Sequence, residues 1–330
     1  MRHPRCRENL LSPFSLASHA LERKEAARGL IELPDPPPCM SHRSPPPVLS
    51  RAGELLARYD VLFCDVWGVL HDGHRAFQDA CDTLLRFRRD GGTVILVSNA
   101  PVPGERVAAM LDARSVPRAA WDDIVASGEI ALRHIAEKGY TRLFCIGPTD
   151  RDAATFERLS ARPTPLEEAE AILCTGLNDD TTETPEDYRE MLQRARARRL
   201  PFVCANPDLV VDVGGRQYIC AGAIADLYER MDGEVFWAGK PHANAYDAAQ
   251  AAAEAVRGAS VDRRRILAIG DSLRTDLKGA EAAGVDAIFI ASGIHRDETM
   301  GSGELSPEKL AILFAPPAPR ALAVLGKLRW

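Results

Sequence analysis

Six polar residues stand where apolar runs of this 330-residue sequence stop, and their types suit one chemistry. Asp65 closes the run VLFCDV, within FCDVWGVLHDG, and Ser98 and Asn99 close TVILVSN. Lys240 follows VFWAG, and RILAIGD ends on Asp271, with Asp276 further on in GDSLRTD. Singly, each has an ordinary explanation. A strand-terminal aspartate often caps a helix or forms a turn. Ser98 and Asn99 could cap a helix starting near Glu105, Lys240 could be a solvated charge, and Asp276 could pair with Arg274 or Lys278. Jointly, three carboxylates gathered at one place repel one another unless a cation sits among them. Hard oxygen donors, few in number, suit Mg2+ better than zinc.

Whether the six gather depends on the elements that carry them. From residue 60 the chain alternates short apolar runs with amphipathic stretches. The runs cover 61–66, 93–99, 142–147, 171–176, 202–206, 235–239, 265–271 and 287–293. Helical spacing fills most of the intervals, as in Ala76–Arg89, Pro185–Arg199 and Asn244–Val256. Runs this short, apolar throughout and rich in Val and Ile suit parallel strands covered on both faces. Their alternation with helices implies βαβ units and an α/β fold with a doubly wound parallel sheet. In such a sheet ligands bind beyond the carboxyl ends of the strands, where all six residues would lie.

This constellation closely resembles the haloacid dehalogenase (HAD) superfamily in order and spacing. The resemblance implies a Rossmann-like core in which Asp65 is the nucleophile and forms an aspartyl-phosphate. It implies that Ser98 and the backbone amide of Asn99 hold the transferring phosphoryl group, and that Lys240 neutralises charge between nucleophile and phosphate. Mg2+ would be held by Asp65, Asp271, Asp276 and the main-chain carbonyl of Trp67. Phosphoryl transfer needs positioning and charge neutralisation more than covalent chemistry, and these residue types supply both.

The stretch GDSLRTDLKGAEAAGVDAIFIASG looks like the class IIA branch, which includes ribonucleotide-monophosphate, p-nitrophenylphosphate and phosphoglycolate phosphatases. That branch inserts a large α/β cap between the second and third motifs. ANPD at 205–208 and CAGAIADLYE, containing Gly222, resemble segments of such a cap. The expected organisation is a core of residues 51–100 and 234–315, an inserted cap of 101–233, and a proline-broken tail of 316–330 that docks on the core. Gly214-Gly215 would turn a hairpin within the cap. Cap-mediated homodimers are common in the branch.

One position departs from the pattern. Phosphatases of the superfamily read Asp-x-Asp in the first motif, and the second aspartate protonates the leaving oxygen and then activates water. Here that position is Trp67. Indole has no proton titrating near neutral pH, and general acid–base help is worth roughly 10²–10⁴-fold. His71 or Asp72, close by in the same loop, are candidate substitute acids, or else plain loop residues; Trp67 could pack beside the substrate or under the cap. The leading expectation is a Mg2+-dependent phosphatase of a small phosphorylated metabolite, a sugar phosphate or nucleotide. A non-catalytic, phosphometabolite-binding or regulatory protein is the alternative that Trp67 raises. Cleavage of a carbon–halogen or carbon–phosphorus bond is a third, less favoured because it leaves the paired aspartates Asp271 and Asp276 without a purpose.

Composition sets the remaining bounds. A net charge of −6 without a basic stripe argues against nucleic-acid binding. No apolar run approaches the ~18 residues of a membrane span. The first residues lack a secretory pattern and carry Glu8, Glu22 and Glu25. Five of the eight cysteines lie in apolar runs with no CxxC pair, which reads as buried reduced thiols in a cytoplasmic protein. Seven of the 23 prolines fall between Pro34 and Pro47. Residues 1–50 thus read as a disordered extension, or as a start placed too early, with Met40 as the alternative.

Overall fold

The structure is a computed structural model that describes residues 44–301 and 303–330. The chain first lays down β1 (Val61–Cys64), β2 (Thr93–Ser98) and β3 (Asp123–Ala126). It then forms β4 (Arg142–Ile146), β5 (Arg162–Pro163), β6 (Ala171–Cys174) and β7 (Phe202–Cys204). A hairpin of β8 (Val210–Val213) and β9 (Arg216–Ile219) precedes β10 (Val235–Trp237). Last come β11 (Ile266–Gly270), β12 (Asp286–Ile290), the small pair β13 (Met300–Gly301) and β14 (Glu304–Leu305), and β15 (Ala323–Leu325).

Two parallel sheets result. The core sheet has the order β15-β12-β11-β1-β2-β3, and an inserted sheet has the order β10-β7-β6-β4-β5. In the core sheet the two-residue side-chain period divides β1 cleanly. Val61 and Phe63 face Tyr246, Ala249 and Ala253 of the helix Ala243–Arg257. Leu62 and Cys64 face Ala80, Cys81, Leu84 and Phe87 of the helix Gln78–Arg89. A strand covered on both faces must be apolar at every position, so its first polar residue comes where the sheet ends. In the inserted sheet, Ile172, Cys174, Phe202 and Cys204 pack likewise under the helices Arg189–Ala197 and Ala221–Arg230.

The expected α/β doubly wound fold is present, but its boundaries move. The inserted layer does not begin at Pro101, because the helix Gly104–Ala113 leads into β3, which pairs with β2 in the core sheet. It does not end at Gly233 either, since β10 pairs with β7. The segment after 316 is more than a docked tail, because β15 pairs with β12 and extends the core sheet. Residues 44–50 are no free extension. The Leu49 amide donates to the Val324 carbonyl and the Val324 amide to that of Pro47. Met40 and the first prolines lie outside the described residues.

Six cysteines are described and all are free thiols. Burial pushes Cys81 and Cys145 up to about 11 and Cys204 up to about 12, so they act as small apolar side chains. Among the described residues, no helix is long and apolar enough to cross a membrane.

Candidate active site

The carboxyl ends of the central strands converge on one charge cluster. The Asp65 amide continues the β1–β11 ladder by donating to the Ile269 carbonyl at 2.8 Å. That contact fixes the backbone from which the carboxylate projects. Lys240, only 4 % exposed, places Nζ 2.5 Å from Asp65 Oδ1 and 2.7 Å from Asp276 Oδ1. Asp276 arrives on a widened helical turn, in which the amides of Asp276 and Leu277 both donate to the Ser272 carbonyl at 3.1 Å. Such π-bulges recur at functional sites. Here the turn brings Asp276 Oδ2 back to accept from the Ser272 amide at 3.1 Å, and the Tyr246 hydroxyl donates to the Asp276 carbonyl at 2.7 Å.

Asp271 completes the cluster. Its Oδ2 accepts from the Ile294 amide at 2.8 Å, and oxygens of Asp65, Asp271 and Asp276 all lie within 4.8 Å of one another. Two glycines make room for it. A Cβ on Gly68, at φ +79°, would stand 1.9 Å from Asp271 Oδ2, and one on Gly293 would stand 1.8 Å away. Any side chain at either position would displace this carboxylate.

Burial opposes the charge on Lys240, but Asp276 and Asp65 outweigh it and hold the ammonium well above the ordinary lysine range. Burial pushes both Asp65 and Asp271 upward. Lys240 counteracts the rise at Asp65, whereas the neighbouring carboxylates add to it at Asp271. One ammonium against three carboxylates leaves the cluster short of positive charge. An oxygen-only donor set with that deficit matches a hard divalent cation.

Ser98 and Asn99 border the same cavity as Asp65. Ser98 Oγ accepts from the Ala100 amide at 3.2 Å. The Asn99 side chain has a task not foreseen from sequence, because it clamps the backbone of Lys240. Its Oδ1 accepts from the Lys240 amide at 2.8 Å, and its Nδ2 donates to the Lys240 carbonyl at 3.1 Å. Asp276 pairs with Lys240 and not with Arg274 or Lys278; Arg274 instead donates to the Pro207 carbonyl of the inserted layer at 2.7 Å.

The first loop corrects two expectations. Trp67 Nε1 donates to the Asp212 carbonyl of the β8–β9 hairpin at 2.7 Å, so the indole sits under the inserted layer. The hairpin turns at Gly214-Gly215, both at positive φ. His71 is unsuited as a substitute acid. Its ring, 1 % exposed, meets the edge of Trp67 at 4.8 Å, and its Nδ1 accepts from the Gly73 amide at 3.0 Å. Burial, aided by Arg114 and opposed by Asp72, pushes it down to about 4, so it is neutral at pH 7 with no readily given proton. Asp72 is unsuited because it is already ionised. Its Oδ1 caps a turn by accepting from the amides of His74 and Arg75, and its carboxyl is held below the usual range by those amides and by Arg75 against an opposing burial contribution.

The depressed His71 fixes a pH effect with a definite sign. The unfolded imidazole takes up a proton near pH 6.5, before the folded one does near 4. Stability from this group is therefore complete above pH 6.5 and lost as pH falls toward 4, by about 3 kcal/mol at most. Urea unfolding at pH 7 and pH 4.5 is expected to show a smaller loss for His71→Gln than for the wild type. Equal losses in the two proteins would refute it.

Sequence reasoning missed Asp208. The cavity above the cluster, about 1390 Å³, is bordered by the core sheet below and by Thr175, Asn206 and Asp208 beyond the carboxyl ends of β6 and β7. The signal was present. ANPD ends an apolar run just as the six core residues do, so both sheets aim polar strand ends at one space.

Comparison with known proteins agrees with this construction. The profile of the haloacid dehalogenase-like hydrolases matches residues 62–159, and that of the HAD-hydrolase-like proteins matches residues 237–312. No curated protein matches by sequence search. Among solved structures, a haloacid dehalogenase-like hydrolase from Brucella suis 1330 is 44 % identical, with a TM-score of 0.75, covering 85 % of this chain and 100 % of that one. A possible sugar phosphatase of the HAD superfamily from Cytophaga hutchinsonii shares the fold at 19 % identity and TM-score 0.69, covering 86 % of this chain and 98 % of that one. A 4-nitrophenylphosphatase from Thermotoga maritima does so at 20 % and 0.62, covering 83 % and 96 %. With the profile matches falling on the strands that carry Asp65, Ser98, Lys240, Asp271 and Asp276, the chain belongs to the haloacid dehalogenase-like hydrolases.

Proposed function

We propose that the protein hydrolyses a phosphate monoester of a small metabolite through an aspartyl-phosphate on Asp65. The observation that carries this is the Lys240 ammonium held between Asp65 and Asp276 beneath an open cavity, with Asp271 alongside. The names of the fold relatives, a possible sugar phosphatase, a 4-nitrophenylphosphatase and a glycerol phosphate phosphatase, support it. Asp65 attacks phosphorus and the ester P–O bond breaks; water then cleaves the bond between phosphorus and Asp65. Ser98 Oγ and the Asn99 amide hold the phosphoryl oxygens, and Lys240 orients Asp65 while offsetting charge. Asp65, Asp271, Asp276 and the Trp67 carbonyl would hold Mg2+, which when bound neutralises charge on the phosphoryl group.

The test is product analysis with aryl and alkyl phosphates, a haloacid and a phosphonate, each with and without Mg2+. Inorganic phosphate released from the esters in a Mg2+-dependent way is the expected result. Halide or aldehyde in its place would move the assignment to carbon–halogen or carbon–phosphorus cleavage. Trp67, whose N–H is committed to Asp212, favours a second reading as a phosphometabolite-binding protein without turnover. Mg2+-dependent binding of a phosphate analogue with no hydrolysis of any activated ester would establish that reading instead.

The cation has a stability signature of its own. At a hundred times its dissociation constant, Mg2+ adds about 2.7 kcal/mol, which corresponds to a melting shift of about 4 °C at this size. Scanning fluorimetry is expected to show the shift in wild type and to lose it in Asp271→Asn. An unchanged shift in the variant would remove Asp271 from the cation site.

A further inference from the structure

We propose that Asp208, a residue of the inserted layer, supplies the proton that position 67 cannot. This rests on the phosphatase reading above and deepens it. Phosphoryl transfer is in line, so the leaving oxygen lies on the far side of phosphorus from Asp65, toward the cavity that the first loop and the inserted layer both border. Asp208 is a carboxyl group on that side of the cavity. Its place is built by both layers. The Asp208 amide donates to Asn206 Oδ1 at 3.0 Å, and Arg274 of the core holds the adjoining Pro207 carbonyl at 2.7 Å. Gly222 permits close passage, since a Cβ there would come within 2.4 Å of the Asp208 carbonyl.

One carboxyl oxygen is used and the other is free. Asp208 Oδ1 accepts from Asn99 Nδ2 at 2.9 Å, while Oδ2 takes no hydrogen bond from the described residues. Through Asn99 the carboxyl group is tied to the backbone of Lys240, whose ammonium touches Asp65. Burial raises Asp208 above the usual carboxylate range; Asn99, Lys240 and Arg274 pull it down, and Asp276 pushes it up. Asp65, Cys204 and Cys220 also sense its charge. The first loop offers no competitor, because Trp67, His71 and Asp72 are each committed as described.

The cycle balances. Asp65 forms the bond to phosphorus, the ester P–O bond breaks, and the departing oxygen takes the Asp208 proton to leave as an alcohol. Water then attacks phosphorus and gives its proton to the Asp208 carboxylate. Phosphate departs, and Asp65 and Asp208 return to their starting states.

A poor leaving group needs this proton and a good one does not, which separates the role from mere positioning. Asp208→Asn keeps an acceptor for Asn99 but has no acidic proton. It is expected to lower kcat/KM, which reports the steps through departure of the alcohol, by roughly 10²–10³-fold for an alkyl phosphate and by less than about tenfold for 4-nitrophenyl phosphate. Across a series of esters, log kcat/KM should fall more steeply with leaving-group pKa than in wild type, and Asp208→Glu should restore part of the alkyl activity. Equal losses on both esters would make Asp208 a positioning residue, and no loss on either would remove it from the reaction. Both outcomes overturn the proposal while the phosphatase reading stands. That reading itself fails, and takes the proposal with it, if the wild type releases phosphate from neither ester or if Asp65→Asn retains its turnover. Melting curves of both Asp208 variants confirm that folded protein is compared.

Discussion

Asp65→Asn lowers phosphate release by roughly 10⁴-fold or more, on the scale seen when a covalent nucleophile is removed. The substitution is nearly isosteric, and the amide oxygen can still accept from Lys240 Nζ, which lies 2.5 Å from the native carboxylate. What disappears is an anionic oxygen able to attack phosphorus, together with one of three like charges crowded within 4.8 Å. Because that repulsion falls, the metal-free variant should melt no lower than the wild type, and cation affinity should drop. Steady-state kinetics, with mass spectrometry of protein quenched during turnover, checks both sides. Wild type should carry a phosphoryl adduct on Asp65 and the variant none. Turnover surviving in the variant would end the nucleophile assignment, whatever the fold.

Lys240→Met is the second large effect, and it acts on stability as well as rate. Lys240 is buried with its ammonium shared between Asp65 and Asp276, so methionine of similar shape leaves three buried carboxylates without their counter-charge. Breaking a buried pair from one side costs about 3–5 kcal/mol, and loss of an electrostatic contact to the transition state lowers turnover by roughly 10²–10³-fold. The pH dependence has a clear direction. Burial already raises Asp65 and Asp271, and without Lys240 to counteract it their folded pKa values rise further above the unfolded ones. The missing stability is therefore present below the unfolded values, near pH 4, and lost as pH rises. Divalent cations should restore part of it at pH 7. Denaturation at pH 5 and pH 7.5, with and without Mg2+, tests this, and a variant equally unstable in all four conditions would contradict it.

The legible parts of this fold share one physical property. Where a strand is covered on both faces, every residue is apolar, and the first polar residue marks its end. Asp65, Ser98, Lys240 and Asp271 were visible for that reason, as was the parallel sheet beneath them. β3 was not visible, because Asp123–Ala126 is short, partly exposed and runs straight into the helix at Ser127. β15 was hidden by the prolines around 316–319, although its own three residues are fully buried. The boundaries of the inserted layer shifted for the same reason, since connections carry no periodic signal. Asp208 escaped because its partner Asn99 lies 109 residues away, a separation that no local pattern reports.

Among the described residues the chain crosses between its two parallel sheets at two places, between β3 and β4 and again after β10. The second crossing is Ala238-Gly239-Lys240, and Gly239 holds φ +116° where a side chain would strike Ser127 Oγ and Asn99 Oδ1. One pivot for any swing of the inserted layer thus adjoins the residue that grips Asp65. Its anchor is the Asn99 clamp on the Lys240 backbone, which fixes the core end of the swing at the residue itself. Opening the cavity for substrate need not then drag the ammonium away from Asp65. Weakening that clamp would turn each opening stroke into a pull on the charge cluster, coupling the rate of product escape to the ionisation of the nucleophile.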